Sequence, residues 1–329
     1  MTFESAETAF AINAVRRASR LVRLVQRELV TTALTKGDRS PVTVADFASQ
    51  ALVGYLLSEA FPRDRLVGEE DSADLGAPEH RPMLEQVARF VACEVAGATP
   101  EMVCRWIDVG RGEPDGRFWT LDPVDGTKGF LRGGQYAVAL ALLVDGRVRL
   151  GVLGCPHLVE AKRQEIGGPG TLVVAEAGRG AWAAPLSGGE FRRLQVSQRN
   201  DPAEARVLRS FEAGHTNVDA LGELVKALGA RTDPILMDSQ AKYALLAAGE
   251  GDLLFRLLAA DKPAYRETIW DQAAGSLVVE EAGGRITDLE GKPLDFSHGR
   301  TLARNRGVVA SNDLLHEVAL EAIRRIEAS

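Results

Sequence analysis

Cysteine is scarce in this chain: Cys93, Cys104 and Cys155 are the only three, and no CxxC pair or Cys/His cluster joins them. That spacing argues against a disulfide framework or a structural zinc site and makes reduced, largely buried thiols the expectation. Long apolar runs are missing too. The stretch from Ala137 to Val144 is eight residues, which suits a core strand and cannot span a bilayer. The first twenty residues carry early acids and no apolar h-region, unlike a secretory signal, so a cytoplasmic protein is expected. There is no basic excess. A net charge of -7 offers no bulk attraction for nucleic acid or anionic membranes, and the small arginine groups at 17, 20 and 23 and at 192 and 193 read as solvated surface. The glycine strings GRGEPDG (110–116) and GGPG (167–170) match neither a P-loop nor a dinucleotide fingerprint, which argues against an ATPase or an NAD enzyme. No Ser-His-Asp or Cys-His arrangement stands out.

What is present is an ordinary globular composition, 45% apolar and 26% charged over 329 residues, enough for two moderate cores. Helical apolar spacing from Ser5 to about Leu29 predicts one amphipathic helix ending near Thr31. Thr43 reads as the cap of a second helix running to about Ala60, with Asp46 at the capping-box position. A third helix is predicted over 82–95. Strands are expected at 66–67, 119–121, 136–144, 148–153 and 172–175, with Asp145-Gly146 as a hairpin turn. The later half alternates: strands at 207–210, 235–237, 253–257, 285–287 and 308–310, with helices at 216–228, 239–248, 270–281 and from about 313. This divides the chain into an α+β half, residues 1–165, and an α/β half, residues 166–329.

The chemistry-bearing segment is WTLDPVDGTKGF, residues 119–130. Asp122 ends a predicted strand, Pro123 pre-sets a turn, Gly126 permits a tight one, and Thr127 opens a helix with a hydroxyl to offer. Two carboxylates three apart on such a turn can share one ion or bind two adjacent ions, with the Val124 carbonyl as another hard oxygen, a donor set suited to magnesium. A surface Asp-Pro-x-Asp-Gly turn without chemistry explains the same residues. Acids at three further places have both readings. Asp46 lies in the first turn of a fairly apolar helix, Glu69 and Glu70 follow a short strand in VGEED, and Asp271 follows Trp270 at a predicted helix start. Each is an ordinary cap, loop or helix-dipole acid on its own; together, all sit at element boundaries beside core sequence.

LVGEEDS, DPVDGTKGF and IWDQAAG resemble the three signatures of the lithium-sensitive, magnesium-dependent phosphatases that include inositol monophosphatase, over roughly residues 8–320. SPVTVAD, Lys128-Gly129 after DGT, and the IWD form of the last motif bring the likeness nearest to the 3'(2'),5'-bisphosphate nucleotidases. The resemblance implies a layered αβαβα sandwich of the sugar-phosphatase type and two or three magnesium ions. It implies Glu69, Asp122, Asp125, Asp271 and the Val124 carbonyl as metal ligands, Asp46 beside the waters of that site, and Thr127 with Glu69 assisting the nucleophile.

A nucleoside bisphosphate needs contacts beyond the reacting phosphate. In DSQAKY, Ser239 reads as a helix cap with Lys242 on the same side of the first turn, so backbone amides, hydroxyl and ammonium could grip the second phosphate. The family uses this segment for substrate. Arg256 after Leu253–Phe255, His215 in SFEAGH, Lys36 before SPVT, and Gly126 with Thr127 complete the expected substrate contacts. The bland readings are an ordinary capped helix with a surface lysine for Ser239 and Lys242, and solvent-exposed loop residues for His215 and Lys36. The expected reaction is hydrolysis of the 3'-phosphate of adenosine 3',5'-bisphosphate, extending to 2',5'-bisphosphates and 3'-phosphoadenylyl sulfate. Inositol phosphate, histidinol phosphate and fructose 1,6-bisphosphate are the alternative substrates, and a phosphate-binding module without turnover is the non-enzymatic one. A small phosphorylated substrate is the expected partner, and a monomer the default state.

Overall fold

A computed structural model describes residues 3–30, 40–211, 218–258 and 264–327. Helix α1 (Ala6–Val25) starts at Ser5, whose Oγ accepts from the Thr8 amide at 3.0 Å. Its buried stripe, including Phe10, Ala14, Val15, Leu21 and Val22, has the helical period seen in the sequence. The expected single helix instead widens into a π-turn over Gln26–Val30. The Gln26 amide there donates to the Phe130 carbonyl at 3.0 Å, and its Oε1 meets His157 Nε2 at 2.7 Å.

Helix α2 (Ser40–Ala60) corrects the expected start at Thr43. Pro41 falls in the first turn, where a missing N–H leaves no intrahelical bond unmade. Asp46 is therefore an interior helical residue and no capping-box partner. Helices α3 (Arg81–Ala92) and α4 (Pro100–Asp108) follow. The second was not foreseen, although its signal was present: Thr99 caps it, accepting from the Met102 amide at 3.3 Å, and Pro100 stands in the first turn.

The first sheet takes β1 (Arg65–Gly68), β2 (Arg117–Asp125), β3 (Ala137–Val144) and β4 (Arg147–Cys155). After a short hairpin, β5 (Leu158–Val159) with β6 (Arg163–Gln164), come β7 (Thr171–Glu176), β8 (Gly180–Pro185) and β9 (Arg192–Arg193). Its order is β1-β2-β3-β4-β7-β8-β9, with only the β1–β2 pair parallel. A short helix, α5 (Thr127–Leu131), stands between β2 and β3. The sheet thus runs to Arg193, past the join expected at residue 165. Asp145 and Gly146, at φ 51° and 70°, form the hairpin turn the Asp-Gly pair predicts.

The second sheet takes β10 (Val207–Arg209), β11 (Ile235–Leu236), β12 (Leu253–Arg256), β13 (Arg285–Thr287) and β14 (Val308–Ser311), in the order β11-β10-β12-β14-β13. Its helices are α6 (Val218–Leu228), α7 (Ala241–Ala247), α8 (Ala273–Glu281) and α9 (His316–Glu327).

Three cores define the layering. Val138, Leu140 and Leu142 of β3 face the α1 and α2 stripe. Ala137, Ala139, Ala141 and Leu143 face the other way, onto α7, α8 and one face of the second sheet. The far face of that sheet, Val207, Leu253, Phe255 and Val309, packs on α6 and α9. The order is α, β, α, β, α. A strand buried on both faces reads as a continuous apolar run, which is why 137–144 shows no alternation. Small residues bring the middle helix close: a Cβ on Gly151 of β4 would lie 2.7 Å from the Ala274 carbonyl oxygen.

Among the thiols only Cys155 is buried, whereas Cys93 is exposed at the C-cap just after α3 and Cys104 half-buried on α4. This corrects the expectation of largely buried cysteines. No helix among the described residues is long and apolar enough to cross a membrane.

Two histidines are buried neutral. His316 is held between Ser311 Oγ at 2.8 Å and Thr287 Oγ1 at 2.9 Å. Burial pushes both His316 and His157 down to about 4. The unfolded chain binds the extra proton below about 6.5, so the stability each histidine contributes is intact above that pH and is lost as pH falls toward 4. The stability advantage of wild type over His316→Gln, measured by urea unfolding at pH 7, 6 and 5, should shrink with each step. An advantage constant across that range would contradict the assignment.

Candidate metal and phosphate site

Asp122 and Asp125 both belong to β2. The expectation that the strand ends at Asp122 is corrected by pairing that continues to Asp125: Asp122 faces Ala139 and Asp125 faces Ala137, with two residues on β2 opposing one on β3. Residues three apart in a regular strand point to opposite faces. The extra residue of the bulge restores the phase and turns both carboxylates the same way. Proline is tolerated at such a bulge, where no ladder bond is lost. Gly126 then takes φ 92° and caps α5; a Cβ there would sit 2.9 Å from the Ser239 Cβ. In that short helix a Cβ on Gly129 would run into the Gln135 carbonyl oxygen, so the glycine after Lys128 answers a packing constraint.

Asp271 reaches the same place from the second half. It lies in the turn before α8, which begins at Ala273 and not at Trp270 as expected, and Thr268 Oγ1 donates to its Oδ2 at 2.8 Å. One carboxylate oxygen from each of Asp122, Asp125 and Asp271 lies within 4.8 Å of the others. Oxygens bound at roughly 2.0 to 2.6 Å to one cation, or to two adjacent cations, are spaced about 3 to 5 Å apart.

Glu69 closes the set from the loop after β1 and lines the same cavity, of about 210 Å³. Gln50, one turn beyond Asp46 on α2, fixes that loop: its Nε2 donates to the Glu70 carbonyl at 2.6 Å and its Oε1 accepts from the Glu70 amide at 3.0 Å. The doublet is thereby put in register, with Glu69 and not Glu70 on the cavity wall. Asp46 is buried and does not line the cavity; it feels the charges of Glu69 and Glu70, and its own is felt by Asp122.

The electrostatics are frustrated. Burial first, then repulsion by Asp271, Glu70 and Asp125, pushes Glu69 up to about 8, although its side chain faces the open cleft. Asp125 rises to about 6 through burial and Asp271, opposed by Lys242 and by the Gln240 amide that donates to its Oδ2. Asp46, Asp122 and Asp271 are raised as well, burial being the largest cause in each. Asp122 Oδ1 is buried without a hydrogen-bond partner. Clustered acids with one orphan oxygen fit a hard divalent cation, which would satisfy that oxygen and offset the repulsion.

The opposite wall is cationic. Lys242 on α7 is 5% exposed, and its Nζ donates to Ser210 Oγ at 3.2 Å. Among the described residues it makes no ion pair, and burial lowers it to about 8. Arg256, at the end of β12, lines the cavity and pairs with the buried Glu267 at 2.7 Å; Gln272 Nε2 also donates to Glu267, at 2.9 Å, while Gln272 Oε1 accepts from the Tyr243 hydroxyl. Ser239 lines the cavity too, but it precedes the N-cap, Gln240, and sits at φ 68°, correcting its reading as the cap. The amides at this helix start are already engaged: Gln240 on Asp125, Ala241 on Ser239 Oγ and Lys242 on the Ser239 carbonyl. Any anion here meets side chains and not the helix N-terminus. Val124, Gly126 and Thr127 also line the cavity, whereas Lys36 and His215 lie outside the described residues.

Sequence reasoning passed over Gln50, Gln240, Glu267 and Gln272. The last three stand beside motif residues in DSQAKY and ETIWDQ, a usable signal; Gln50 had only its spacing of four from Asp46.

With this geometry in place, comparison with known proteins is direct. The profile of the inositol monophosphatase family matches residues 4–328. A 3'(2'),5'-bisphosphate nucleotidase of Schizosaccharomyces pombe is 42% identical, over 98% of this chain and 96% of its own. One from Oryza sativa is 40% identical, over 97% and 94%. Among solved structures, the extragenic suppressor protein SuhB of Bartonella henselae superposes with a TM-score of 0.63 at 22% identity, covering 97% of this chain and all of that one. The Thermotoga maritima IMPase gives 0.64 at 20%, covering 98% and 99%. These distant structures share the layered fold. The chain belongs to the inositol monophosphatase family.

Proposed function

We propose that this protein is a magnesium-dependent 3'(2'),5'-bisphosphate nucleotidase that removes the 3'-phosphate of adenosine 3',5'-bisphosphate, giving AMP and phosphate. The observation that carries the reading is the two-sided cavity: an acid cluster faces a buried lysine that makes no ion pair among the described residues. A phosphomonoesterase for substrates with one phosphate has no use for that second charge. A substrate with two phosphates has one for each wall.

Glu69, Asp122, Asp125, Asp271 and the Val124 carbonyl would hold magnesium. They offer more oxygens than one ion takes when it keeps several waters, which supports two or three ions. Bound there, magnesium supplies positive charge to the reacting phosphate and lowers the pKa of water. The protein groups then divide the work. Thr127, at the head of α5, orients the attacking water, and Glu69 accepts its proton. Asp46 is assigned to the waters of the metal site on the family resemblance. Lys242, Ser239 and Arg256 bind the phosphate that does not react, the Ser239 hydroxyl keeping its own proton to donate. Lys36 and His215 are assigned to substrate on the family resemblance. The same site would accept 2',5'-bisphosphates and 3'-phosphoadenylyl sulfate, which keep two anionic groups.

Phosphate release with magnesium, compared across adenosine 3',5'-bisphosphate, inositol 1-phosphate, histidinol phosphate and fructose 1,6-bisphosphate, tests the substrate. The nucleotide should give the highest kcat/KM. Preference for any of the others would overturn it, and no release from all four would favour a binding module.

A further inference from the structure

Glu69 and Asp271 come from opposite ends of the chain, on loops that share no secondary structure, yet they must hold a common spacing. One side chain outside the acid cluster touches the backbone of the first loop and the side chain beside the second. Arg300 donates through Nη2 to the carbonyl of Gly68, the residue before Glu69, and through Nη1 to the Gly112 carbonyl at 3.4 Å. Its guanidinium lies 5.1 Å from the ring centroid of Trp270, the residue before Asp271. We infer that Arg300 is a positioning residue, which sets the distance between the Glu69 and Asp271 sides of the metal site. This rests on the functional reading above.

Both ends of the bridge are themselves anchored. On the Glu69 side, the Gly68 amide donates to the Gly110 carbonyl and the Gly112 amide to the Leu66 carbonyl, each at 2.8 Å. Arg300 therefore grips a closed backbone ladder and not a loose loop. On the other side, the backbone around Arg300 pairs with the strand leading to Asp271. The Ile269 amide donates to the Arg300 carbonyl at 3.0 Å, the Leu302 amide to the Glu267 carbonyl at 2.8 Å, and Thr268 faces Thr301 in an antiparallel bridge. Thr268 in turn orients Asp271, and the Trp270 carbonyl accepts from Gln240 Nε2 at 3.0 Å, which links Trp270 to the residue whose amide holds Asp125. The chemistry of the bridge requires arginine. A planar guanidinium can stack on an indole while its edge reaches two carbonyls, whereas an ammonium cannot do both.

The test uses the full-length protein, with Mn2+ binding read by electron paramagnetic resonance as the measurement independent of turnover. In Arg300→Lys and Arg300→Met the Mn2+ affinity should fall about 10- to 100-fold, the range for outer residues that orient metal ligands. With kcat falling alongside, KM for adenosine 3',5'-bisphosphate should move less, because Lys242 and Ser239 are untouched. Trp270→Leu, which removes the stacking face and leaves the carbonyl contacts, should weaken Mn2+ in the same direction, and its effect should not add to that of Arg300→Met. A lower melting temperature with unchanged Mn2+ affinity in the folded variants would overturn the inference and show a structural brace only. Fully additive effects of the two variants would also overturn it. Should Arg300→Met fail to fold, Arg300→Lys and Trp270→Leu decide the matter. A wild-type protein that binds no Mn2+ would count instead against the functional reading itself.

Discussion

Asp122→Asn should lower kcat on adenosine 3',5'-bisphosphate by at least about 10³-fold, the upper end of what removing one preorganised electrostatic group costs. The substitution keeps the volume of a side chain that is 2% exposed and replaces a carboxylate facing Glu69, Asp125 and Asp271 with a neutral amide. Its effect on the metal-free fold should have the opposite sign. Burial and like charges raise Asp122 above its unfolded value, so its ionised form opposes folding once the pH rises through the folded pKa; a neutral side chain removes that opposition. The metal-free variant should melt no lower than wild type, while the increase in melting temperature that magnesium gives wild type should be lost. A variant destabilised without metal and still responsive to magnesium would show Asp122 to be a structural acid.

Lys242→Met should lose about 2 to 5 kcal/mol of binding to the bisphosphate, the usual consequence of truncating one partner of a desolvated charge pair. The loss should appear mainly in KM, and a small monophosphate should be hydrolysed nearly as before. Burial decides the outcome: Lys242 has its pKa lowered to about 8, chiefly by desolvation, and its Nζ donates to the Ser210 hydroxyl. A folded pKa below the unfolded one means that the protonated form is disfavoured by folding across neutral pH, so methionine should leave the metal-free protein equally stable or more so. A stability gain accompanying a functional loss marks a residue kept for its ligand. Equal losses on bisphosphate and monophosphate, measured side by side, would show instead that Lys242 supports the fold of the site.

Much of this site is legible in the amino-acid sequence, because the acids sit in strings whose local geometry is stereotyped: a strand end, an Asp-Pro-x-Asp-Gly turn, a loop after a short strand. The layered fold follows from the same strings through their family resemblance. What stays hidden depends on contacts between distant stretches. Nothing near Asp122 announces that β2 continues through Pro123 as a bulge, since the pairing that defines it belongs to Ala137 and Ala139 of the next strand. Propensity puts the start of α2 at Thr43 because Pro41 reads as a breaker, although in a first turn proline breaks nothing. Ser239 reads as a cap from its hydroxyl, but the chain there takes a left-handed turn that puts Gln240 against Asp125. Gln50 and Arg300 are invisible for the same reason: each acts on a backbone carbonyl, which has no signature in the sequence it is paired with.

The central claim is that acids from three separate stretches meet to hold divalent cations beside a phosphate. Anomalous scattering from a crystal soaked in manganese and inorganic phosphate tests it most directly. Peaks bonded by oxygens of Asp122, Asp125 and Asp271, with Glu69 on the same cluster and phosphate bridging toward Thr127, are the expected result. Manganese bound elsewhere while those carboxylates remain metal-free, or carboxylates turned to separate surfaces, would contradict it.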